Sequence, residues 1–201
     1  MKTKFLIIGG VLAVIGFSVL DIAHGPDPYF AKIQQSRQAK NRAFRQGNES
    51  PLTADQRPQF DSLKYFAPDK KYVVTARYAP LARLAPVALQ MSDCRTEPYT
   101  PWGRATFELD GQRQQLTLFH KANDSTLFVP FADASNGRAT YGGGRYLDAA
   151  VPAGAAATIV LDFNQAYNPY CAYNNGYSCP VPPAENHLAV AVPAGEKAFH
   201  D

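Results

Sequence analysis

At 201 residues, with 46% apolar and 18% charged side chains, the chain suits one globular domain plus a targeting segment and is a tight fit for two full domains. The formal net charge of +3 is small and spread along the chain, with no basic run interleaved with aromatics, which argues against a nucleic-acid partner. Sixteen Pro and 14 Gly favour many turns over long helices, and so a mainly β fold.

The chain opens with Lys2 and Lys4, then an uncharged run from Phe5 to Leu20, then Asp21. Cations before an apolar run and none clustered after it place the bulk of the chain outside the cytoplasm. The run is shorter than the ~20 residues that span a bilayer, which favours a cleaved signal peptide. Ala23-His24-Gly25 offers small residues for cleavage, but Pro26 would come directly after the cut, so an uncleaved anchor over residues 5–23 is an equal expectation. No cysteine directly follows the run, which argues against a lipoprotein. Residues 1–25 are therefore expected to target or anchor the chain, and 26–201 to form one β-rich domain, periplasmic or secreted, touching the membrane only through that first segment.

Tyr29 to Gln46 lacks Gly and Pro and predicts a helix, with Phe30, Ile33, Arg37, Lys40 and Phe44 near one face and Gly47 as its stop. Thr53 and Gln56 have capping-box spacing for a short turn that ends before Pro58. Strands are predicted at Tyr72 to Tyr78, Val87 to Met91, Arg104 to Leu109, Gln114 to Phe119, Leu127 to Phe131, Thr158 to Phe163 and His187 to Val192. The clearest signal is a hairpin at Asp110-Gly111, a dipeptide that supplies the positive φ angles of a tight turn. These elements predict an α+β fold dominated by β structure: a small antiparallel barrel or sandwich with the N-terminal helix packed against it.

Two segments stand apart, Phe128 to Asp148 and Leu161 to Asn186; the second holds four Tyr and five Asn in 26 residues with little periodicity. Such stretches in a compact domain are functional or Ω-loops. Gly142 to Gly144 lacks phosphate-loop spacing and reads as a tight bend. Arg145 offers a fork for a carboxylate or phosphate ligand, or pairs structurally with Asp148 or Asp162. It is also expected to meet the stretch Asp162 to Asn168. Cys171 and Cys179 are the expected disulfide, closing a loop worth roughly 2.5 kcal/mol. A zinc site from Cys171, Cys179, Glu185 and His187 lacks paired-turn spacing, so no metal is expected. A catalytic Cys171 would need a base such as His120 or His187.

The motifs YGGGRYLD, DFNQAYNPYCAY, CPVPPAEN and AGEK, with SPLT, FDSLKYFAPD and LFVPFADASNG upstream, resemble the bacterial family called domain of unknown function 1684. The resemblance runs from about Phe30 to Phe199; Cys94 falls outside its motifs. It implies a shared fold and loop cluster and supplies no activity.

The residues expected to line a ligand pocket are Tyr141, Arg145, Tyr146, Asp162, Asn164, Tyr167, Asn168, Tyr170, Glu185 and Asn186. The competing reading is a plug, with Asn and Asp satisfying irregular backbone and tyrosines filling the end of a barrel. The leading expectation is a binding or structural module for a small ligand, without a cofactor. One alternative is a hydrolase-like enzyme using Arg145, Asp162, Cys171 and Glu185; another is an envelope scaffold for a protein partner.

Overall fold

The computed structural model describes residues 27–120, 124–154 and 156–200, so the expected targeting segment lies outside the described residues. The chain divides into two compact units, 1–38 and 39–201. Helix α1, Pro28–Gln46, crosses that division. It starts where Asp27 accepts the Tyr29 backbone N–H at 3.0 Å, with Pro28 preset for a first turn. It stops at Gly47, where a Cβ would sit 2.4 Å from the Ala43 carbonyl oxygen. Its last turns belong to the second unit, where Phe44 is buried with Leu52, Phe60, Leu63 and Tyr173. The Thr53–Gln56 capping box forms as expected. The turn does not end before Pro58, however, but runs on as a 3₁₀ helix, Arg57–Gln59, because proline is tolerated in a first turn.

The second unit is a nearly closed antiparallel barrel. Its strands are β1 Val73–Pro80, β2 Val87–Gln90, β3 Thr96–Leu109, β4 Gln112–His120, β5 Thr126–Phe131, β6 Arg145–Ala150 and β7 Thr158–Asp162. They pair in the order β6-β5-β4-β3-β1-β7, with β2 on the outer half of β3, and β6 approaches β7 at the remaining gap. Asp110 and Gly111 take φ of 53° and 72°, the left-handed pair that the hairpin between β3 and β4 requires. Strand β3 reaches eight residues further back than expected. Pro98 and Pro101 hide that half from a reading of the sequence, yet the ladder to β4 shifts register between Pro101 and Gly103, and such an irregularity accommodates a missing N–H.

Two expectations are corrected. Strand β6, with Arg145, Leu147 and Ala149 turned into the core, lies across a stretch whose composition predicts a loop. Conversely, the predicted strand at His187 to Val192 has the expected alternation, with Leu188, Val190, Val192 and Ala194 buried in the barrel core, but among the described residues it joins no ladder. A single parallel bridge, His187 with Ala132, ties it to the stretch past β5, where Leu188 N donates to the Ala132 carbonyl at 2.8 Å and Ala134 N to the Val190 carbonyl at 3.2 Å, and side chains supply the remaining bonds. Gln114 accepts from Ala189, Asp133 accepts from Val192, and Arg145 donates to the carbonyls of Val192, Ala194 and Glu196.

Candidate functional site

Arg145 opens β6 opposite Phe131, so Asp133, just past the end of β5, lies beside it. Their ion pair is 2.8 Å long, and both side chains are fully buried. Nη2 also donates to the Val192 carbonyl at 2.7 Å, and Nη1 to the carbonyls of Ala194 and Glu196, the latter at 3.2 Å. The Phe131 ring stacks 5.3 Å from the guanidinium carbon. The other Asp133 oxygen accepts from the Ser135 backbone and hydroxyl and from Val192 N. Burial pulls the Arg145 pKa below its ordinary value, and Asp133 opposes that shift. Arg145 thus pairs with neither Asp148 nor Asp162. Strand alternation explains the first: residue 148 is three positions on, facing outward, where it accepts from the Tyr167 hydroxyl. The Gly142 to Gly144 bend is as expected: Gly144 has φ 86°, and a Cβ there would meet the Phe131 carbonyl oxygen at 2.8 Å.

A second buried acid, Glu196, belongs to the AGEK motif, and nothing local in the sequence marks it for a role. Its carboxylate binds Lys40 Nζ at 2.5 Å, the Asn168 backbone N–H at 2.9 Å, and the hydroxyls of Tyr173 and Tyr65. Lys40, which the sequence places only on one face of the helix, is therefore an ion-pair partner. The two are 156 residues apart in the chain.

Several expected ligands serve the fold. Asp162 caps a 3₁₀ turn by accepting from Asn164 N at 3.1 Å. Asn164 exchanges bonds with the Asp69 backbone at 2.9 and 2.8 Å. Asn186, fully buried, accepts from Thr117 N and donates to the carbonyls of Thr117 and Pro130. Glu185 is exposed. Arg145 and Asp162 are thus each engaged in a structural network of their own. Among the described residues no group of three His, Cys, Asp or Glu side chains is placed to hold a metal.

The tyrosines behave differently. Tyr146 and Tyr167 exchange backbone hydrogen bonds at 2.8 and 3.0 Å, which lays the second loop along β6. Beside that bridge opens a cleft of about 350 Å³, walled by Tyr99, Phe128, Tyr146, Tyr167, Tyr170 and Tyr177, with Asn168, Pro169 and the 178–180 stretch completing it. The rings meet edge to face, Phe128 with Tyr146 at 4.7 Å and Tyr170 with Tyr177 at 5.2 Å. Burial pushes the Tyr99 hydroxyl up to about 12 and those of Tyr146 and Tyr167 higher, so all three stay protonated donors at neutral pH. Tyr146 spends its proton on the Pro180 carbonyl at 2.5 Å. Asn168 donates to the Lys197 carbonyl, while its Oδ1 is a buried acceptor without a hydrogen-bond partner. Three wall residues, Tyr99, Phe128 and Tyr177, are not among those expected from the sequence to line a pocket. Tyr99 lies in the proline-interrupted half of β3, and Tyr177 shows only as part of the loop's tyrosine-rich composition.

A second cleft, of about 410 Å³, is lined by Tyr141, Cys171, Tyr173 and Asn174, with Thr53, Gln56 and His200 across from them. Cys171 and Cys179 touch but are unbridged in this structure.

A protein family described as "Protein of unknown function (DUF1684)" matches residues 58–197. The solution NMR structure of an uncharacterized protein from Haloarcula marismortui is 39% identical, covers 87% of this chain and 96% of its own, and superposes with a TM-score of 0.70. No curated protein matches the chain.

Proposed function

Because this chain belongs to the DUF1684 family, whose function is unknown, its own geometry must carry the reading, and we propose that the domain is an extracytoplasmic binding module for a small, largely apolar molecule. The carrying observation is the cleft walled by six aromatic rings. Asn164 and Asn186 make the bonds that a structural plug requires. A ligand with a flat apolar body matches the rings of that cleft. A cleft of about 350 Å³ is at the small end of binding sites and open to solvent, so affinity in roughly the micromolar range fits it.

The location rests on Lys2, Lys4 and the apolar run from Phe5 to Leu20. No helix of the described residues is long and apolar enough to cross a membrane, so on this reading only the first segment would anchor the chain. One experiment tests both parts. Protein isolated from the envelope or periplasmic fraction of its source, measured by native mass spectrometry, is expected to carry a small-molecule mass beyond its chain. Recovery in the cytoplasmic fraction would remove the location, and a bare chain from fresh material would count against retained ligand.

A further inference from the structure

The loop between Tyr170 and Pro180 brings two thiols together and gives them different surroundings. It folds back through bonds from Asn174 N to the Tyr170 carbonyl and from Tyr177 N to the Asn174 carbonyl, at 3.1 and 3.2 Å. The Cys171 backbone N–H then donates to Cys179 Sγ at 3.2 Å. Ser92 pins Cys179 from the other side, donating its N–H to the Cys179 carbonyl at 2.8 Å and accepting from Cys179 N at 3.0 Å. Cys179 is 7% exposed and forms part of the tyrosine cleft. Cys171 is half-buried, opens into the second cleft, and has the Tyr141 hydroxyl 3.8 Å from its sulfur.

From this arrangement we infer that Cys171 and Cys179 form a reversible dithiol–disulfide pair, in which Cys171 attacks a small-molecule disulfide and Cys179 resolves the product. The division of labour comes from access and from charge. The Cys179 thiol, with the hydroxyls of Tyr141 and Ser92, donates toward Cys171 and outweighs its burial, holding it at a pKa of about 6. The same bond, joined by burial, pushes Cys179 well above the ordinary thiol value. At neutral pH the more exposed sulfur is therefore the thiolate, and the buried one keeps its proton.

The exchange balances. The Cys171 thiolate attacks one sulfur of R–S–S–R, that S–S bond breaks, and RS⁻ leaves as the mixed disulfide Cys171–S–S–R forms. RS⁻ takes the Cys179 proton and departs as RSH; the Cys179 sulfur then attacks Cys171 Sγ and expels the second RS⁻. The external disulfide is reduced by two electrons, and the protein pair is oxidised by two. This inference does not depend on what the tyrosine cleft binds.

Iodoacetamide mapping of the wild-type chain, with glutathione disulfide as the oxidant, tests it. At pH about 6, folded Cys171 should alkylate roughly tenfold faster than the same cysteine in the urea-unfolded chain. Its thiolate fraction is about 150 times that of an ordinary thiol, offset about 13-fold by the lower intrinsic nucleophilicity of a weaker base. Glutathione disulfide should convert the pair to a bond that excess reduced glutathione reopens, and Cys179→Ser should instead trap one glutathione on Cys171. The inference is overturned if folded Cys171 reacts no faster than unfolded, if Cys179→Ser takes up glutathione only at Cys94, or if the bond resists reduced glutathione as a static brace would. The alkylation rate needs no variant, so a misfolded substitution leaves the test intact.

Discussion

Arg145→Ala is expected to destabilise the barrel by about 3–5 kcal/mol, the cost of breaking a buried ion pair from one side. The guanidinium is fully buried, and its loss strands the Asp133 carboxylate in the same dry place. It also removes the donors to the Val192, Ala194 and Glu196 carbonyls, which no ladder can replace because that segment has none. Measured against a typical total of about 5–15 kcal/mol, a loss of this size leaves much of the chain unfolded in dilute urea. Arg145→Lys keeps the charge but not the fork, so it should fall between wild type and Ala. Urea unfolding followed by far-UV circular dichroism gives the number. A midpoint unchanged in Arg145→Ala would mean that the carbonyls find water and that the pair does not hold the C-terminal segment in the core.

Asn186→Ala is expected to cost about 3 kcal/mol, from buried groups left unpaired at about 1–3 kcal/mol each. Strands β4 and β5 pair in register only at Phe119 and Phe128. Near Thr117 and Pro130 the Asn186 amide takes the place of a strand peptide. It accepts from Thr117 N at 2.7 Å and donates to the Thr117 and Pro130 carbonyls at 2.8 and 2.7 Å. For a chain of this size such a loss lowers the melting temperature by about 6–12 °C. Asn186→Asp separates hydrogen bonding from cavity formation: it keeps the volume but turns an unprotonated oxygen toward two carbonyls, and should be at least as damaging as Ala. An Asp variant that melts like wild type would refute the bridging role.

The parts of this fold that are legible in the sequence are those governed by local rules. Alternation locates most of the strands, Asp110-Gly111 locates the hairpin, and Thr53 with Gln56 locates a cap. The rest depends on distant partners. The alternation at Leu188 to Val192 is real, but nothing local shows that a single bridge to Ala132 and the side chains of Arg145, Asp133 and Gln114 stand in for a full ladder. The pairing of Arg145 with Asp148 fails on strand parity, a rule usable only once Arg145–Ala150 is known to be a strand. Lys40 and Glu196 meet only through the tertiary fold. Within the candidate site, the tyrosines of the second loop are visible as composition, whereas which backbone groups Asn164, Asn168 and Asn186 each bind requires the hydrogen bonds themselves.

If the tyrosine cleft binds while the Arg145 and Asn186 networks only hold the barrel, the rings of the cleft and those of the core must respond differently to a small aromatic molecule. Carbon-proton NMR of protein labelled at the tyrosine rings, titrated with a panel of small phenols and indoles, tests it most directly. Saturable shifts are expected at Tyr146, Tyr167 and Tyr170, which line the cleft, with the core rings of Tyr72 and Tyr78 unmoved. Cleft tyrosines that stay fixed across the whole panel, or shifts centred on other rings, would contradict it.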